Sequence, residues 1–238
     1  MPKITIVETG LVSPERRARH GSFPQMFERL IGEADGSARF ATIRLIDGEG
    51  LPDPAGLEAI LITGSSAGVY DDLDWIAPLE RFVRAAYEAR IPMVGICFGH
   101  QLIAQALGGV VRKSEKGWGI GRHLYDVVPD NGAIDGEKIA IACSHQDQVV
   151  EPPAQAKTIL HSTFTPHAGL LYANGATLSV QPHPEFTTAF AHICCEKAGQ
   201  DSAPESLVAT ARASLEQPLD SADLGRAIAR FLAKPRKS

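Results

Sequence analysis

A short apolar run at residues 91–96 is followed at once by Cys97 and by a helical pattern of apolar residues. Gly95 and Gly99 lie two residues before and two residues after the cysteine. This G-x-nucleophile-x-G pattern, with cysteine in place of serine, predicts a tight turn between a strand and a helix that exposes the nucleophilic atom at the end of a sheet. Glycine is needed at both positions because neighbouring backbone crowds such a turn and a β-carbon would clash.

The helix that begins after Cys97 favours reactivity of the sulfur in two ways. Its N-terminal dipole stabilises a thiolate, and its free N–H groups can bind an oxyanion. The alternative is a small buried cysteine with a packing role in an ordinary turn. A catalytic partner elsewhere in the sequence would decide between these two interpretations.

The alternation of elements in the first half predicts an α/β fold. Patterns typical of strands lie at residues 3–7, 40–46, 59–62 and 91–96, and helical patterns lie at residues 23–31, 75–90 and 98–107. The run at residues 59–62 is continuously apolar, which indicates a strand covered on both faces. Strands that alternate with helices in this way indicate a mostly parallel sheet with helices on both faces.

In the second half, strands follow one another without intervening helices, which predicts antiparallel additions to the sheet. These strands are predicted at residues 123–128, 138–142, 158–160, 169–172 and 177–181. Asn174 and Gly175 are a hairpin signal between the last two. Residues 117–121 are rich in glycine and are expected to form a loop near the site. Three further helices are predicted at residues 186–197, 204–215 and 222–232.

Length and composition restrict the class of protein. The 238 residues and the 44% hydrophobic content suit one large α/β domain. A net charge of −5 argues against a nucleic-acid surface, and no apolar run approaches the roughly 18 residues that span a bilayer. The N-terminus has the pattern of a strand without a cleavage signal, so we expect no secretory peptide. The four cysteines lack a C-x-x-C pair, which argues against zinc and a disulfide framework and predicts a reducing cytoplasm.

A glycine- and serine-rich segment, residues 63–72, follows the continuously apolar strand. Open α/β sheets bind ligands at the carboxyl ends of their strands, so this segment is a candidate binding loop. A phosphate cradle and a merely flexible connection are the two alternatives. Neither a G-x-G-x-x-G nor a Walker pattern is present, which argues against the phosphate cradle.

A catalytic cysteine needs a base, and the base usually needs an orienting group. His183 ends the strand at residues 177–181 and precedes Pro184, which favours extended backbone at the histidine. Residues i and i+2 of extended backbone point to the same side, so Glu185 can orient His183. The alternatives are a loop histidine beside a surface carboxylate, and His100, which lies close to Cys97 in the sequence and is expected to pack beside the turn.

Residues 95–101 together with residues 181–185 closely resemble the motifs of the class I, or triad, glutamine amidotransferases, and most of all the glutaminase domain of GMP synthase and its free-standing relatives. The resemblance covers roughly residues 3–190. It implies a flavodoxin-like sheet and hydrolysis of a γ-glutamyl amide through a thioester. By position, it implies that Cys97 is the nucleophile, His183 the general base and acid, and Glu185 the residue that orients His183.

The same resemblance implies further site residues. The backbone N–H groups of Gly64 and Phe98 would form the oxyanion hole, and Gln101 would help to hold the substrate. Gln146 and Asp147 lie in a segment, residues 144–149, that matches the loop whose backbone recognises the amino-acid end of the substrate. His145 in that loop can equally be structural.

The sequence departs from the family pattern in the candidate oxyanion loop and at its C-terminal end. Residues 63–66 read Thr-Gly-Ser-Ser where the family usually has Gly-Gly-Pro, so the sequence leaves the oxyanion donor in place without specifying its geometry. No synthase or ATP-binding domain is expected within the chain. The predicted C-terminal helices can cap the sheet, form a dimer face or dock a partner.

The sequence therefore predicts a cytoplasmic, cysteine-dependent amidohydrolase that acts on the side-chain amide of glutamine without metal or organic cofactor. One alternative is a γ-glutamyl peptidase or amide hydrolase with the same triad. Another is a partner-dependent subunit that delivers ammonia to a separate synthase or regulates it. We expect residues 1–238 to form one domain, with a core at about 3–197 and a helical extension at about 203–233, no nucleic-acid or membrane partner, and a homodimer among the alternatives.

Overall fold

A computed structural model describes residues 2–235. Within that range the chain forms eleven β-strands, seven α-helices and two short 3₁₀-helices, Leu45–Asp47 and Pro54–Gly56. The strands are β1 (Lys3–Glu8), β2 (Arg39–Arg44), β3 (Ala59–Ile62), β4 (Met93–Ile96), β5 (Val110–Lys113), β6 (Gly119–Val127), β7 (Lys138–His145), β8 (Asp147–Glu151), β9 (Ala156–His161), β10 (Gly169–Tyr172) and β11 (Thr177–Val180). The helices are α1 (Pro14–His20), α2 (Phe23–Ala34), α3 (Ile76–Glu88), α4 (Phe98–Ala106), α5 (Thr188–Asp201), α6 (Glu205–Ser214) and α7 (Ser221–Leu232).

The strands divide into a parallel half and an antiparallel half. Among the described residues they form a nine-stranded sheet in the order β2-β1-β3-β4-β11-β10-β9-β6-β7, beside a two-stranded sheet of β5 and β8. The five strands from β2 to β11 are parallel to their neighbours. The strands from β11 to β7 pair in antiparallel fashion. This arrangement confirms the predicted α/β sheet with antiparallel additions in the second half.

Helices cover both faces of the sheet and form the core with it. Helices α2 and α7 pack with β1, β3 and β4 on one face, and α3 and α4 pack on the other. A third apolar cluster joins α5 and α6 to the beginning of β6. Helix α2 begins with a capping box, because the side chain of Ser22 accepts from the backbone of Gln25 while the side chain of Gln25 accepts from the backbone of Ser22. Burial on both sides explains why β3 and β4 are apolar throughout.

The C-terminal helices belong to the same folded unit. Helix α7 buries Leu224, Ile228 and Phe231 in the core cluster that also contains strand β1. Helix α6 packs on β6 and α5. Helix α7 therefore caps one face of the sheet, and the other two roles considered for this extension, a dimer face and a docking surface, stay predictions. The predicted domain of residues 1–238 also includes Met1 and residues 236–238, which lie outside the described range.

Two local predictions were wrong. Strand β6 begins at Gly119, so residues 119–121 are not part of a loop. Residues 144–149 are not one loop either, because β7 continues to His145 and β8 begins at Asp147. Pairing with neighbouring strands overrode the local sequence signal in both places. No helix among residues 2–235 is both long enough and apolar enough to cross a membrane.

The two glycines beside Cys97 are expected to be essential for stability. A β-carbon at Gly95 would lie 2.5 Å from the carbonyl oxygen of Gly99 and 2.6 Å from Ile103. Gly95→Ala should therefore lower the free energy of unfolding by about 1–3 kcal/mol, measured by urea denaturation. Gly32→Ala is the matched control, because Gly32 lies within α2 with nothing within 4 Å of the added carbon. The control should be neutral or stabilise the protein by about 0.5–1 kcal/mol, and equal effects would contradict the prediction.

Candidate active site

Cys97 occupies a strained turn between β4 and α4. Its backbone has φ 51° and ψ −103°, a conformation that residues with a β-carbon rarely adopt. The turn is tightly packed, because a β-carbon at Gly99 would lie 2.5 Å from the carbonyl oxygen of Ile62. Strained backbone of this kind costs about 1–3 kcal/mol and is concentrated at functional sites. The predicted elbow is therefore present, with the predicted reason for its glycines.

The parallel pairing of strands brings the other predicted residues to Cys97. In the register of β4 and β11, Ile96 lies beside Val180, so Cys97 and His183 both follow at the carboxyl edge of the sheet. The N–H of Cys97 donates to the carbonyl of Val180 at 2.9 Å. The N–H of His183 donates to the carbonyl of Ala142 at 2.9 Å, which ties the histidine to β7 as well.

Glu185 and His183 form a hydrogen-bonded pair next to Cys97. His183 Nδ1 donates to Glu185 Oε1 at 2.7 Å. This bond leaves Nε2 available to Cys97, which lies close enough for its charge to raise the pKa of His183. All three side chains are buried, with exposed fractions of 6% for Cys97, 4% for His183 and 3% for Glu185. The structure thus places a buried imidazole, held by a carboxylate, beside a thiol, which is what the predicted roles of the three residues require.

The surroundings of His183 favour its protonated form. Burial lowers the pKa of His183, but the negative charges of Glu185 and Cys97, with the hydrogen bonds to both, raise that pKa to about 10. The ring of Phe186 stacks on the imidazole with centroids 4.0 Å apart and an angle of 7° between the planes. The stacked ring excludes water and holds the imidazole plane, so His183 is fixed both in position and in charge.

The loop after β3 is held by two threonines. The carbonyl of Thr63 accepts from the N–H of Gly99 at 3.2 Å and from Thr9 Oγ1 at 3.0 Å. Thr63 Oγ1 accepts from the N–H of Thr9 at 3.0 Å and donates to the carbonyl of Gly64 at 3.1 Å. Because a trans peptide points its C=O and N–H in opposite directions, these bonds direct the N–H of Gly64 away from Thr9.

The two predicted oxyanion donors are both backbone N–H groups that make no hydrogen bond within residues 2–235. Neither Gly64 N–H nor Phe98 N–H has a hydrogen-bond acceptor among residues 2–235. A β-carbon at Gly64 would lie 3.1 Å from the ring of His183 and 3.7 Å from Cβ of Cys97, so the loop lies directly against both residues. The side chain of Phe98 packs against Trp75 with centroids 5.5 Å apart, so only its backbone can face the site.

The predicted substrate-binding residues Gln101, Gln146 and Asp147 line the same cavity as Cys97, and Gln101 is hydrogen bonded to Asp147. Gln101 Nε2 donates to the carbonyl of Asp147 at 2.8 Å and to Gln181 Oε1 at 3.1 Å. The hydroxyl of Tyr70 donates to Asp147 Oδ2 at 2.9 Å, which joins the loop after β3 to the start of β8. Burial and this bond to Asp147 raise the pKa of Tyr70 to about 12. Gln101 therefore orients the turn that carries Gln146 and Asp147.

The two histidines considered as alternatives are buried and neutral. His100 Nδ1 is paired with the hydroxyl of Ser179 at 2.7 Å, and burial lowers the pKa of His100 to about 3. His145 Nδ1 is paired with the carbonyl of Asp147 at 3.1 Å, and burial followed by the charges of neighbouring histidines lowers the pKa of His145 to about 3. His100 thus packs beside the turn, as expected.

A cavity of about 530 Å³ opens above Cys97. It is lined by the predicted site residues Cys97, His183, Gly64, Gln101, Gln146 and Asp147. Glu185 is not among the lining residues, because it lies behind the imidazole of His183. The cavity is large enough for an amino-acid derivative, and it meets the nucleophile at its floor.

Sequence reasoning missed several residues that build the site. Thr9 and Tyr70 were not predicted to contribute, although Tyr70 lies in the glycine- and serine-rich segment that was predicted to bind a ligand. Phe186 directly follows Glu185 in the sequence, and this position could have indicated that Phe186 contacts His183. Thr9 has only its position at the end of β1 as a signal, since its partner Thr63 lies 54 residues later.

Comparisons with known proteins agree with this geometry. A family model described as glutamine amidotransferase class-I matches residues 49–191. Gamma-glutamyl peptidase 4 of Arabidopsis thaliana is 32% identical over 177 residues, which are 70% of this chain and 69% of that protein. One subunit of the glutamine-hydrolyzing GMP synthase of Saccharolobus solfataricus is 28% identical over 131 residues, which are 54% of this chain and 67% of that protein. In fold, the chain resembles a glutamine amidotransferase from Methylobacillus flagellatus, with a TM-score of 0.78, 17% identity and coverage of 100% and 97%.

Removing the carboxylate of Glu185 should lower the pKa of His183. Burial alone lowers that pKa, so Glu185→Gln leaves fewer charges to oppose it. Wild-type His183 is expected to remain protonated between about pH 6 and pH 8, whereas the imidazole of the variant should be neutral over much of this range. Histidine Cε1 NMR titration measures both, with His145 as an internal reference whose signal should not titrate in this range.

The same substitution should change the pH dependence of stability. The folded-state pKa of His183, about 10, lies above the unfolded value of about 6.5, so the protonated histidine stabilises the fold fully below pH 6.5. That contribution is lost as the pH rises through about 10. The free energy of unfolding of the wild type relative to Glu185→Gln should therefore fall between these two pH values. A difference that stays constant in urea denaturation would contradict this assignment.

Proposed function

This chain belongs to the class I glutamine amidotransferase family, and from that membership we propose that it hydrolyses the side-chain amide of glutamine, or of another γ-glutamyl compound, with Cys97, His183 and Glu185 as its triad. The observation that carries the proposal is the pairing of His183 with the buried carboxylate of Glu185, next to Cys97, where Cys97 and His183 line the cavity. Folding is made less favourable by the strained turn, the buried base and its buried carboxylate. A catalytic role in hydrolysis explains why the protein retains them.

The first half of the reaction forms a thioester. Cys97 Sγ attacks the side-chain amide carbon of the substrate as a thiolate, and the proton of the thiol resides on His183 Nε2. The carbonyl oxygen of the amide becomes an oxyanion in the tetrahedral intermediate. His183 then donates its proton to the leaving nitrogen, the carbon–nitrogen bond breaks, and the amine or ammonia departs.

The second half of the reaction releases the acid. His183, now neutral, accepts a proton from a water molecule whose oxygen attacks the thioester carbon. Collapse of the second tetrahedral intermediate breaks the carbon–sulfur bond and returns the thiolate of Cys97 beside protonated His183. The raised pKa of His183 stabilises the resting pair; the charge of Cys97 that helps to raise it is consumed in the attack, so His183 becomes a stronger acid when it must donate its proton. Glu185 keeps the imidazole oriented throughout.

We assign the oxyanion hole to the backbone N–H groups of Gly64 and Phe98. Support comes from their freedom from other hydrogen bonds within residues 2–235 and from the position of Gly64 against Cys97 and His183. Each such donor is typically worth about 3 kcal/mol of the barrier. The bonds that Thr9 and Thr63 make to the loop hold its peptides before substrate arrives, which lowers the cost of reorganisation.

We assign the γ-glutamyl group to the polar side of the cavity. Gln101, Gln146 and Asp147 line that side, and Tyr70 holds the Asp147 carboxylate by a hydrogen bond. A glutamyl group carries an ammonium and a carboxylate, which require polar partners when they leave water. The proposed reaction needs only side chains of this chain, the substrate and water.

The names of the relatives point to different leaving groups in the cleavage of the amide. Some are named gamma-glutamyl peptidase, and others are named as one subunit of GMP synthase. A chain that resembles both can release an amine or peptide, or can pass ammonia to a separate synthase. Four unpaired cysteines favour a reducing compartment such as the cytoplasm for either role.

Substitution of the nucleophile tests the proposal most directly. Cys97→Ala should lower the release of glutamate from glutamine by a factor of about 10⁴ or more, because no thioester can form. Glutamate release measured with a coupled assay, in purified protein, checks this. Cys195→Ala is the control, because Cys195 is buried away from the cavity lining and should retain turnover. Turnover by Cys97→Ala at the wild-type rate would refute the mechanism.

Loosening the oxyanion loop should slow the reaction without weakening substrate binding. Thr9→Val keeps the shape of the side chain but removes the hydrogen bond to the carbonyl of Thr63. We expect kcat to fall about tenfold or more, with KM nearly unchanged, because the donor at Gly64 is then less well oriented. Thr5→Val, on the same strand, is the matched control and should leave kcat unchanged. Equal kcat values for the two variants would show that the loop needs no such support.

A further inference from the structure

The cavity continues past His183 along a row of aromatic side chains, which we call the aromatic row: Phe186, Phe23 and Phe190. Phe186 stacks on His183, and Phe23 stacks in turn on Phe186 with centroids 6.3 Å apart and planes 22° from parallel. Phe190 contacts both phenylalanines edge-on, at 4.7 Å and 6.4 Å between centroids. All three line the same cavity as Cys97. The side of the site that begins at the base is therefore apolar.

Helix α1 adds a cation at the rim of this apolar surface. His20 at its end packs edge-on against Phe190 with centroids 5.5 Å apart, which places α1 against α5. Arg16 lines the cavity and lies close enough to Cys194 of α5 to lower the pKa of that thiol, against the larger effect of burial, which raises it. Among residues 2–235, no carboxylate forms an ion pair with Arg16.

The other charges along this side neutralise each other. Lys197 and Asp201 both line the cavity, and Lys197 Nζ donates to the two carboxylate oxygens of Asp201 at 2.9 Å and 3.2 Å. The remaining lining charges lie elsewhere: Asp71 is on the loop after β3, Asp147 is at the start of β8, and Lys113 is opposite Asp147 in the register of β5 and β8. Within the described part of the chain, Arg16 is thus the unpaired charge on the side of the aromatic row.

The proposed chemistry decides which part of a substrate meets this surface. His183 must donate a proton to the leaving nitrogen, so the leaving group lies on the same side of the amide as His183. Ammonia has no apolar surface to bury, so a reaction that releases only ammonia leaves the aromatic row without a ligand. An amine with an apolar side chain would cover the row and exclude water from it.

We propose that the aromatic row and Arg16 form a binding site for the leaving group, and that the substrate is a γ-glutamyl amide of an amino acid or peptide whose amine carries an apolar side chain and a carboxylate. The apolar side chain packs on Phe23, the partly exposed member of the row, since Phe186 and Phe190 are only 5% exposed, and the carboxylate accepts from the guanidinium of Arg16. This inference rests on the proposed function and deepens it, since it names the substrate class of the same site. The departing amine leaves with the proton that His183 donates, and the acyl group remains on Cys97.

The test compares three γ-glutamyl substrates with glutamine in the full chain. γ-Glutamyl-phenylalanine offers both features, γ-glutamyl-glycine lacks the apolar side chain, and γ-glutamyl-phenethylamide lacks the carboxylate. Glutamate release should give a kcat/KM for γ-glutamyl-phenylalanine that is about tenfold or more above the value for glutamine. A buried apolar side chain and a charge-assisted hydrogen bond are each large enough for such a factor.

Substitutions test which residue provides the preference for the carboxylate and which provides the preference for the apolar side chain. Arg16→Gln should lower the kcat/KM ratio of γ-glutamyl-phenylalanine to γ-glutamyl-phenethylamide about tenfold, whereas Arg19→Gln, on the same helix outside the cavity, should leave the ratio unchanged. Phe23→Ala should lower the ratio of γ-glutamyl-phenylalanine to γ-glutamyl-glycine by a similar factor. Thermal unfolding is measured for every variant, and Phe23→Leu replaces Phe23→Ala in the ratio test if the latter unfolds.

The outcomes separate this inference from the function on which it rests. Equal kcat/KM values for all four substrates, or an Arg16→Gln ratio equal to that of wild type, would overturn the leaving-group site while Cys97-dependent hydrolysis stands. Absence of glutamate release from every substrate, or wild-type turnover by Cys97→Ala, would overturn the proposed function itself. Preference for γ-glutamyl-phenylalanine that is lost in Arg16→Gln and in the Phe23 variant supports both.

Discussion

The backbone of Cys97, in a conformation that costs about 1–3 kcal/mol, is the constraint on which the rest of the site depends. Two hydrogen bonds hold the turn against that cost. One joins Cys97 to Val180 of β11, and the other joins Gly99 to Thr63 after β3. The same two strands continue into His183 and Gly64, so the bonds that stabilise the strained turn also bring the proposed base and the proposed oxyanion donor close to the sulfur. Parallel pairing makes this possible, because all three strands end at one edge.

Burial determines how much free energy the charged groups of the site cost. Taking an imidazolium and a carboxylate out of water is unfavourable, and the short bond between His183 and Glu185 offsets that cost. Phe186 keeps water away from the pair by stacking on the imidazole. The same ring begins the aromatic row and stacks on Phe23, so exclusion of water from the base and support for the apolar surface proposed for the leaving group come from one side chain. Gln101, Gln146 and Asp147 add polar groups to the same cavity.

The local sequence pattern predicted an element correctly where the burial of its residues follows a regular pattern along the segment. The continuously apolar β3 and the amphipathic α3 were predicted within a few residues, because burial on both faces or on one face is visible in the sequence itself. It failed at residues 119–121 and 144–149, where glycines and polar residues resemble loops. Pairing across β6 and β7 supplies backbone hydrogen bonds there that no local propensity records. The hydrogen bonds of Thr9 to Thr63 were missed for the same reason.

The amino-acid sequence was enough to identify Cys97, His183 and Glu185 as candidates, because the glycines around the cysteine and the proline beside the histidine restrict the backbone locally. It was also enough to predict the parallel core. Only the tertiary structure decided that the N–H of Gly64 is directed away from Thr9, and that Arg16 and Phe23 share a cavity with Cys97 and His183. These are contacts between segments far apart in the chain, and their geometry depends on how helices pack on the finished sheet.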